Sequence, residues 1–357
     1  MSVVERRLLP LLGGAYLVLC ALAILGLLAE LGLVLNRRTS LERARVHAEA
    51  NPFEEVREVS GAFAQSLWLV PEERYRPGAS LELEVAGERY SIVINSRGFR
   101  TREFEERKPA GTHRVVCIGG STTVQGRSNA ETYPAFLERL VRETRPGLRV
   151  EVLNLGVSGT GSRFWMRHLP EVLALEPDVI VHYEFVNDFF WEGLPAYSLR
   201  RPWFAAARRL SLLTGRLLPP DPADFEDAFA TTLRRSLRMK RIAAQQGARY
   251  LTSTFAGPDA QRAPAGFAAY LDANVEAWGG RHGLRRYSEY RRLLDAYNGR
   301  QQAFAGAEGL DSSPVASIRA PRLFVDLCHM NSAGVQALAE AFLPAVVAAL
   351  DAGSATP

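Results

Sequence analysis

Lysine is nearly missing from this 357-residue chain: Lys108 and Lys240 are two of its 43 basic residues, and arginine supplies the other 41. So extreme a skew reflects a GC-rich coding sequence and not a binding preference. Acidic residues number 39, which leaves a formal net charge of only +4, and no basic cluster is interleaved with aromatics. That argues against nucleic acid as a partner. Cysteine occurs three times, as Cys20 in an apolar run, Cys117 in a strand-like stretch and Cys328 beside a histidine, so no disulfide framework is indicated. His47, His113, His168, His182 and His282 lack metal-ligand spacing, and neither a metal nor an organic cofactor is implied. There is no internal repeat and no long low-complexity segment.

What the chain does have is the composition of an ordinary folded protein, 47% apolar and 23% charged, with a long apolar run at its amino end. Leu8 to Ala29 is 22 residues without a charge, and the apolar pattern resumes from Leu31 to Leu35 after the single Glu30. About 20 apolar residues span a bilayer core, so residues 1–40 read as a single-pass membrane anchor. A cleaved signal peptide is the rival, but its apolar region runs only about 7–15 residues. Leu19 also occupies the place where a lipoprotein signal ending at Cys20 needs a small residue. Arg6 and Arg7 flank one side of the run and Arg37, Arg38, Arg43 and Arg45 the other. A bare count of positive charges would therefore put the carboxyl side in the cytoplasm, a rule that weakens when a long domain follows.

Two distant segments carry the chemistry. Arg114-Val-Val-Cys-Ile-Gly-Gly-Ser-Thr-Thr123 reads as a short strand ending in a small-residue turn that presents Ser121. Leu323-Phe-Val-Asp-Leu-Cys-His-Met-Asn-Ser-Ala-Gly334 places Asp326 and His329 just before a helix. A serine hydroxyl is a poor nucleophile unless an imidazole takes its proton, and the imidazole needs an acid to fix its tautomer. Val150-Glu-Val-Leu-Asn-Leu-Gly-Val-Ser-Gly159 and Asp178-Val-Ile-Val-His-Tyr-Glu-Phe-Val-Asn-Asp188 are further strands leaving through polar turns. The Ser121 amide, the Gly159 amide and the Asn187 side chain are candidate donors to a tetrahedral oxyanion. Each feature has a blander reading: Ser121 as a turn serine or helix cap, His329 as a structural histidine, Asp188 as a residue bonding its own turn. Together they point to a serine hydrolase acting through a Ser-His-Asp triad.

Around these segments, strands at 114–119, 150–155, 178–186 and 249–255 alternate with helices at 132–144, 162–175, 226–246, 284–304 and 333–351, with a fifth strand near 306–311. The alternation predicts an α/β fold of three layers, with a central parallel sheet and the candidate residues at the carboxyl ends of its strands. Residues 41–112 read as a helical stalk from Asn36 to Ala50 followed by an accessory hairpin of 80–85 and 88–95. Residues 113–352 form the main domain, and the aromatic, proline-bearing stretch 189–224 interrupts it as a lid or substrate wall, a packed insertion, or a segment resting on a membrane. Trp165, Trp191, Trp203 and Trp278 have two readings, as a glycan platform or acyl pocket and as core residues.

Taken in order, the Gly-x-Ser, Asn-x-Gly-x-Ser-Gly, Asn-Asp and Asp-x-x-His blocks resemble the SGNH (GDSL-type) hydrolase superfamily over about residues 113–352. The last block is the most specific. The resemblance implies a flavodoxin-like fold, Ser121 as nucleophile, His329 as base, Asp326 as its orienting acid, and Ser121, Gly159 and Asn187 around the oxyanion. Gly120 stands where the superfamily commonly has Asp, and Phe185 stands two before the Asn where Gly is common, which would narrow an acyl pocket. The stretch from Tyr90 to Arg100 is similar to the lead-in of membrane-anchored bacterial members. Such a member would hold its catalytic domain outside the cytoplasm and act on an ester-bearing substrate: an acetylated glycan, a lipid or a small acyl ester. Acyl transfer to an envelope glycan with the same residues, and a non-catalytic binding protein on a hydrolase fold, are the alternatives.

Overall fold

In the computed structural model, residues 3–49, 68–69, 74–85 and 88–353 are described, with side chains from 15–49, 74–84 and 89–353. Five parallel strands form the central sheet. After an antiparallel hairpin of β1 (Ser80–Val85) and β2 (Glu88–Val93), these are β3 (His113–Gly119), β4 (Val150–Asn154), β5 (Val179–Tyr183), β6 (Arg249–Ser253) and β7 (Asp311–Ser313), in spatial order β4-β3-β5-β6-β7. That is the doubly wound order whose switch point lies at the carboxyl end of the first-entered strand, here β3.

Period-two alternation sends successive side chains to opposite faces. Val115, Cys117, Val179, Val181 and Tyr183 join one apolar cluster, whereas Val116, Ile118, Leu153 and Ile180 join another. The first is covered by α3 (Tyr133–Thr144) and, late in the chain, by Tyr287–Glu308 and Ser332–Gly353; Tyr133 stacks on Phe342 with ring centroids 5.5 Å apart. The second is covered by α4 (Ser162–Leu173), through Trp165 and Leu169, and by Glu226–Gln245, through Met239 and Ala243. Both faces of the sheet are thus dry, which is why its strands read as nearly continuous apolar runs.

The remaining helices are α1 (Val3–Glu49), α2 (Ser121–Val124), α5 (Leu194–Arg200), α6 (Pro202–Leu210), α7 (Leu212–Leu217), α8 (Glu226–Gln245), α9 (Ala265–Gly279), α10 (Tyr287–Glu308) and α11 (Ser332–Gly353). The described part of α1 is long and apolar enough to cross a membrane, as either a span or a signal sequence, and no residue of its most apolar stretch is buried. Its polar end lies along α9: Ala44 is buried, His47 sits 5.2 Å from the rings of Phe267 and Tyr270, and Arg37 pairs with Glu276 at 2.7 Å.

Several expectations shift. The fifth strand is Asp311–Ser313, not 306–311, because α10 runs on to Glu308 and stops where Gly309 adopts left-handed φ of 58°. The strand placed at 178–186 ends at Tyr183, where Glu184 turns the chain by accepting from the Phe185 and Asn187 amides. Helix α9 was not anticipated. The stretch 189–224 is helical, opening with a π-helical turn (Asp188–Gly193), and buries Phe189, Phe190, Leu194 and Tyr197. The accessory hairpin pairs 80–85 with 88–93, and its 86–87 tip lies outside the described residues, as does Ala50 of the stalk.

Candidate active site

Three strand ends converge at the switch point. Ser121 is the first residue of α2, directly beyond β3. A first-turn N–H has no intrahelical acceptor, so the Ser121 amide is available to a ligand. Asp326 and His329 sit in a tight turn that Val325 N closes on His329 O at 3.0 Å. His329 Nε2 lies 2.8 Å from Ser121 Oγ, and His329 Nδ1 lies 2.7 Å from Asp326 Oδ2. Residues 208 apart in sequence are therefore in one hydrogen-bonded row. The second Asp326 oxygen accepts from the amides of Cys328 (2.8 Å) and His329 (2.6 Å). Asp326 is fully buried, which on its own would push its carboxyl up; the adjoining His329 and these amides outweigh burial and hold it below the usual range.

Gln125, one residue past α2, ties the two halves together by accepting from Met330 N at 2.7 Å. On the opposite side, Tyr75 donates to Ser158 Oγ and accepts from Ser158 N, both at 2.8 Å, bracing the turn that presents Gly159. Gly159 has φ of 77°, a left-handed conformation that glycine adopts without penalty. Arg100, buried, donates to the carbonyls of Val124 (2.7 Å) and Gly126 (2.9 Å) behind the serine turn.

Asn187 is held on every side. Its Nδ2 donates to Thr160 O and to Glu184 Oε2, each at 3.0 Å, and its Oδ1 accepts from Trp191 Nε1 at 3.1 Å. Glu184 Oε2 also accepts from Gly120 N at 3.0 Å. A Cβ at Gly120 would lie 2.3 Å from Asn187 Nδ2 and 2.6 Å from Glu184 Oε2, so the Glu184 carboxyl fills the space that a side chain at position 120 would need. Burial and the neighbouring Asp188 push the Glu184 carboxyl up to about 8, against the pull of its amide donors. Asp188 itself accepts from Ser162 N at 2.9 Å at the start of α4, a structural role; burial moves it up to about 6.

Gln125, Tyr75 and Arg100 were not singled out from the sequence, and Glu184 only within His182-Tyr-Glu184, whose alternation on a strand favours a buried, hydrogen-bonded role over metal binding. Only Glu184 left a signal, as an acid ending an apolar strand. Phe185 is turned away from the expected acyl pocket: it is buried against Phe189 and Tyr297 in the aromatic core. His182, also buried, bonds Tyr250 at 2.6 Å, and burial lowers its pKa to about 4. Among the described residues, one set could hold a metal ion, Asp326, Cys328 and His329, with donor atoms within 4.8 Å of one another. Its carboxylate and imidazole already bond each other and Ser121, and burial raises the Cys328 thiol well above its usual range.

No curated protein matches the chain. Among solved structures it is similar to an α/β hydrolase enzyme from the metagenome of Lake Arreo, Spain (20% identity, 67% of this chain and 96% of that one, TM-score 0.42). It is similar also to an acetyl xylan esterase variant from Geobacillus stearothermophilus (18%, 67% and 96%, TM-score 0.43) and to a putative acylhydrolase from Bacteroides fragilis (15%, 68% and 90%, TM-score 0.42). The GDSL-like lipase/acylhydrolase family matches residues 117–337, more than half of the chain, from inside β3 to inside α11. By that match the chain belongs to the GDSL-like lipase/acylhydrolase family of the SGNH superfamily and is a hydrolase acting on ester bonds.

Proposed function

We propose that this protein cleaves esters through an acyl-enzyme on Ser121, with His329 as general base and Asp326 as its orienting acid. The observation that carries this is the continuous row Ser121 Oγ, His329, Asp326 at 2.8 and 2.7 Å. Ser121 Oγ attacks the ester carbonyl as His329 Nε2 takes its proton; the tetrahedral intermediate collapses, and His329 returns the proton to the departing alkoxide. Water, deprotonated by the same nitrogen, then releases the acid. The amides of Ser121 and Gly159 stabilise the oxyanion, and the Asn187 side chain joins them by exchanging its bond to Glu184 for one to the oxyanion.

The substrate we propose is an acyl ester of the cell envelope, an O-acetylated glycan or a lipid, reached by a domain that α1 anchors outside the cytoplasm. The test is a panel of acetyl and longer acyl esters, with and without a sugar acceptor, together with labelling by a fluorophosphonate. Ser121→Ala is expected to abolish both hydrolysis and labelling while the Tm stays nearly unchanged, since the turn tolerates loss of the hydroxyl. Residual turnover above a few per cent of wild type would overturn the triad, and acylated sugar among the products would make the protein a transferase.

A further inference from the structure

Beyond α1, seven large apolar side chains are exposed among the described residues, and six of them lie between Trp191 and Leu218. Helix α6 explains why. Its inner face is committed: Ala205 and Arg208 are buried, with the Arg208 guanidinium bonded to the carbonyls of Gly283 and Gly215 and paired with Glu289 at 3.1 Å. Its outer face carries Trp203, Ala206, Ala207 and Leu210, the i, i+3, i+4, i+7 stripe that a helix normally turns inward. Here that stripe faces out, with Trp203 88% and Leu210 87% exposed. Leu199 on α5 (83%) and Leu217 on α7 (68%) extend the same apolar surface.

The height of this surface is fixed by α1. At about 1.5 Å per residue, the uncharged run Leu8 to Ala29 is roughly 33 Å long, close to the ~30 Å hydrocarbon thickness of a bilayer. Glu30 therefore emerges at the interface. Its carboxylate accepts from Ser211 Oγ at 3.0 Å and from the amides of Leu212 (2.7 Å) and Leu213 (2.8 Å), so it caps α7 and pins the α6–α7 turn at that level. Exposed Arg209 and Arg216 flank the apolar stripe, as suits anionic headgroups.

We infer that α5 to α7 form a platform lying in the headgroup and upper acyl region of a lipid bilayer, immersing Leu199, Trp203, Leu210 and Leu217. The inference rests on the reading of α1 as a membrane span. Its consequence is positional: the π-helical turn that opens this stretch runs straight on from Asn187, so the active site is held at a set distance from the lipid surface.

The test is spin-label accessibility in the full-length protein, reconstituted in phosphatidylethanolamine/phosphatidylglycerol vesicles. Single labels are placed by Trp203→Cys, Leu210→Cys, Leu22→Cys and Glu143→Cys in a Cys20→Ser background; Cys117 and Cys328 are buried. Labels at 203 and 210 are expected to collide with oxygen more than with a water-soluble nickel chelate, like the label at 22, with nickel accessibility several-fold below that at 143. If 203 and 210 match 143 while 22 stays in lipid, the platform is wrong and the span stands. If 22 is aqueous as well, both fail. Labels at 203 and 210 shielded from both reagents would show a protein cover, such as a second copy, and would also overturn the platform.

Discussion

Asn187 and Gly120 are coupled through space. Because Asn187 Nδ2 is suspended between Thr160 O and Glu184 Oε2, its position depends on the absence of a side chain at residue 120. Asn187→Ala is expected to lower kcat by about 10²–10³ with little change in KM, the signature of an interaction made only in the transition state. Gly120→Ala should reproduce that pattern in part, since its Cβ displaces the Asn187 amide without touching the triad. Steady-state kinetics on one ester substrate check both. A change confined to KM would make Asn187 a substrate-binding residue. The departure of this chain from the common Gly-Asp-Ser block fits the same geometry: an acidic group comes from residue 184, just beyond the neighbouring strand, and glycine at 120 makes room for it.

At the scale of elements, the proposed catalytic row is assembled from distant segments that side-chain bonds join. Helix α2 is four residues long, too short to hold a geometry by itself, and it is fixed by Gln125 on the His329 side and Arg100 behind. Gln125→Ala leaves the buried Met330 amide without its acceptor, which costs about 1–3 kcal/mol. The expected outcome is a lower urea midpoint together with a fall in kcat/KM, as His329 loses its register with Ser121. Unchanged activity at reduced stability would show that the loop keeps its geometry without this bond. The accessory region takes part in the same way, since Tyr75 braces Ser158 and with it the turn that carries Gly159, the proposed oxyanion donor.

For the whole molecule, two measurements follow. The first concerns pH. Glu184 is held in the fold with its carboxyl near 8, above the ordinary 4.5, so its neutral form is favoured by folding. The associated stability is fully present below about pH 4.5 and is lost as pH rises through 8, at up to about 1.4 kcal/mol per unit. Asp188 acts in the same direction but is spent by about pH 6, and buried His182, lowered to about 4, acts in the opposite direction up to its ordinary 6.5, so the window from about 7 to 8 isolates Glu184. Urea midpoints should fall across that window in the wild type and less steeply in Glu184→Gln; equal slopes would remove Glu184 as the cause. The second concerns topology. A reporter enzyme active only in the periplasm, fused after Pro357, is expected to be active, and the protein should stay with membranes through a high-salt wash. Activity from a cytoplasm-only reporter would reverse the orientation and exclude envelope esters.

Sequence alone determined the alternation of strands and helices, because each face of a buried parallel sheet demands apolar residues at fixed periods, and it also offered Ser121, Asp326 and His329 as candidates for a triad, because that chemistry needs those residue types in that local setting. It misplaced β7, where a helix ran on to its glycine cap, and it passed over α9, Gln125, Tyr75 and Arg100, whose roles are contacts with residues far away in the chain. Only the tertiary structure decided that Glu184 fills the space beside Gly120, that Phe185 packs into the core, and that the apolar stripe of α6 faces outward. Each of these depends on which surface a neighbouring element covers, and periodicity in one segment carries no information about that.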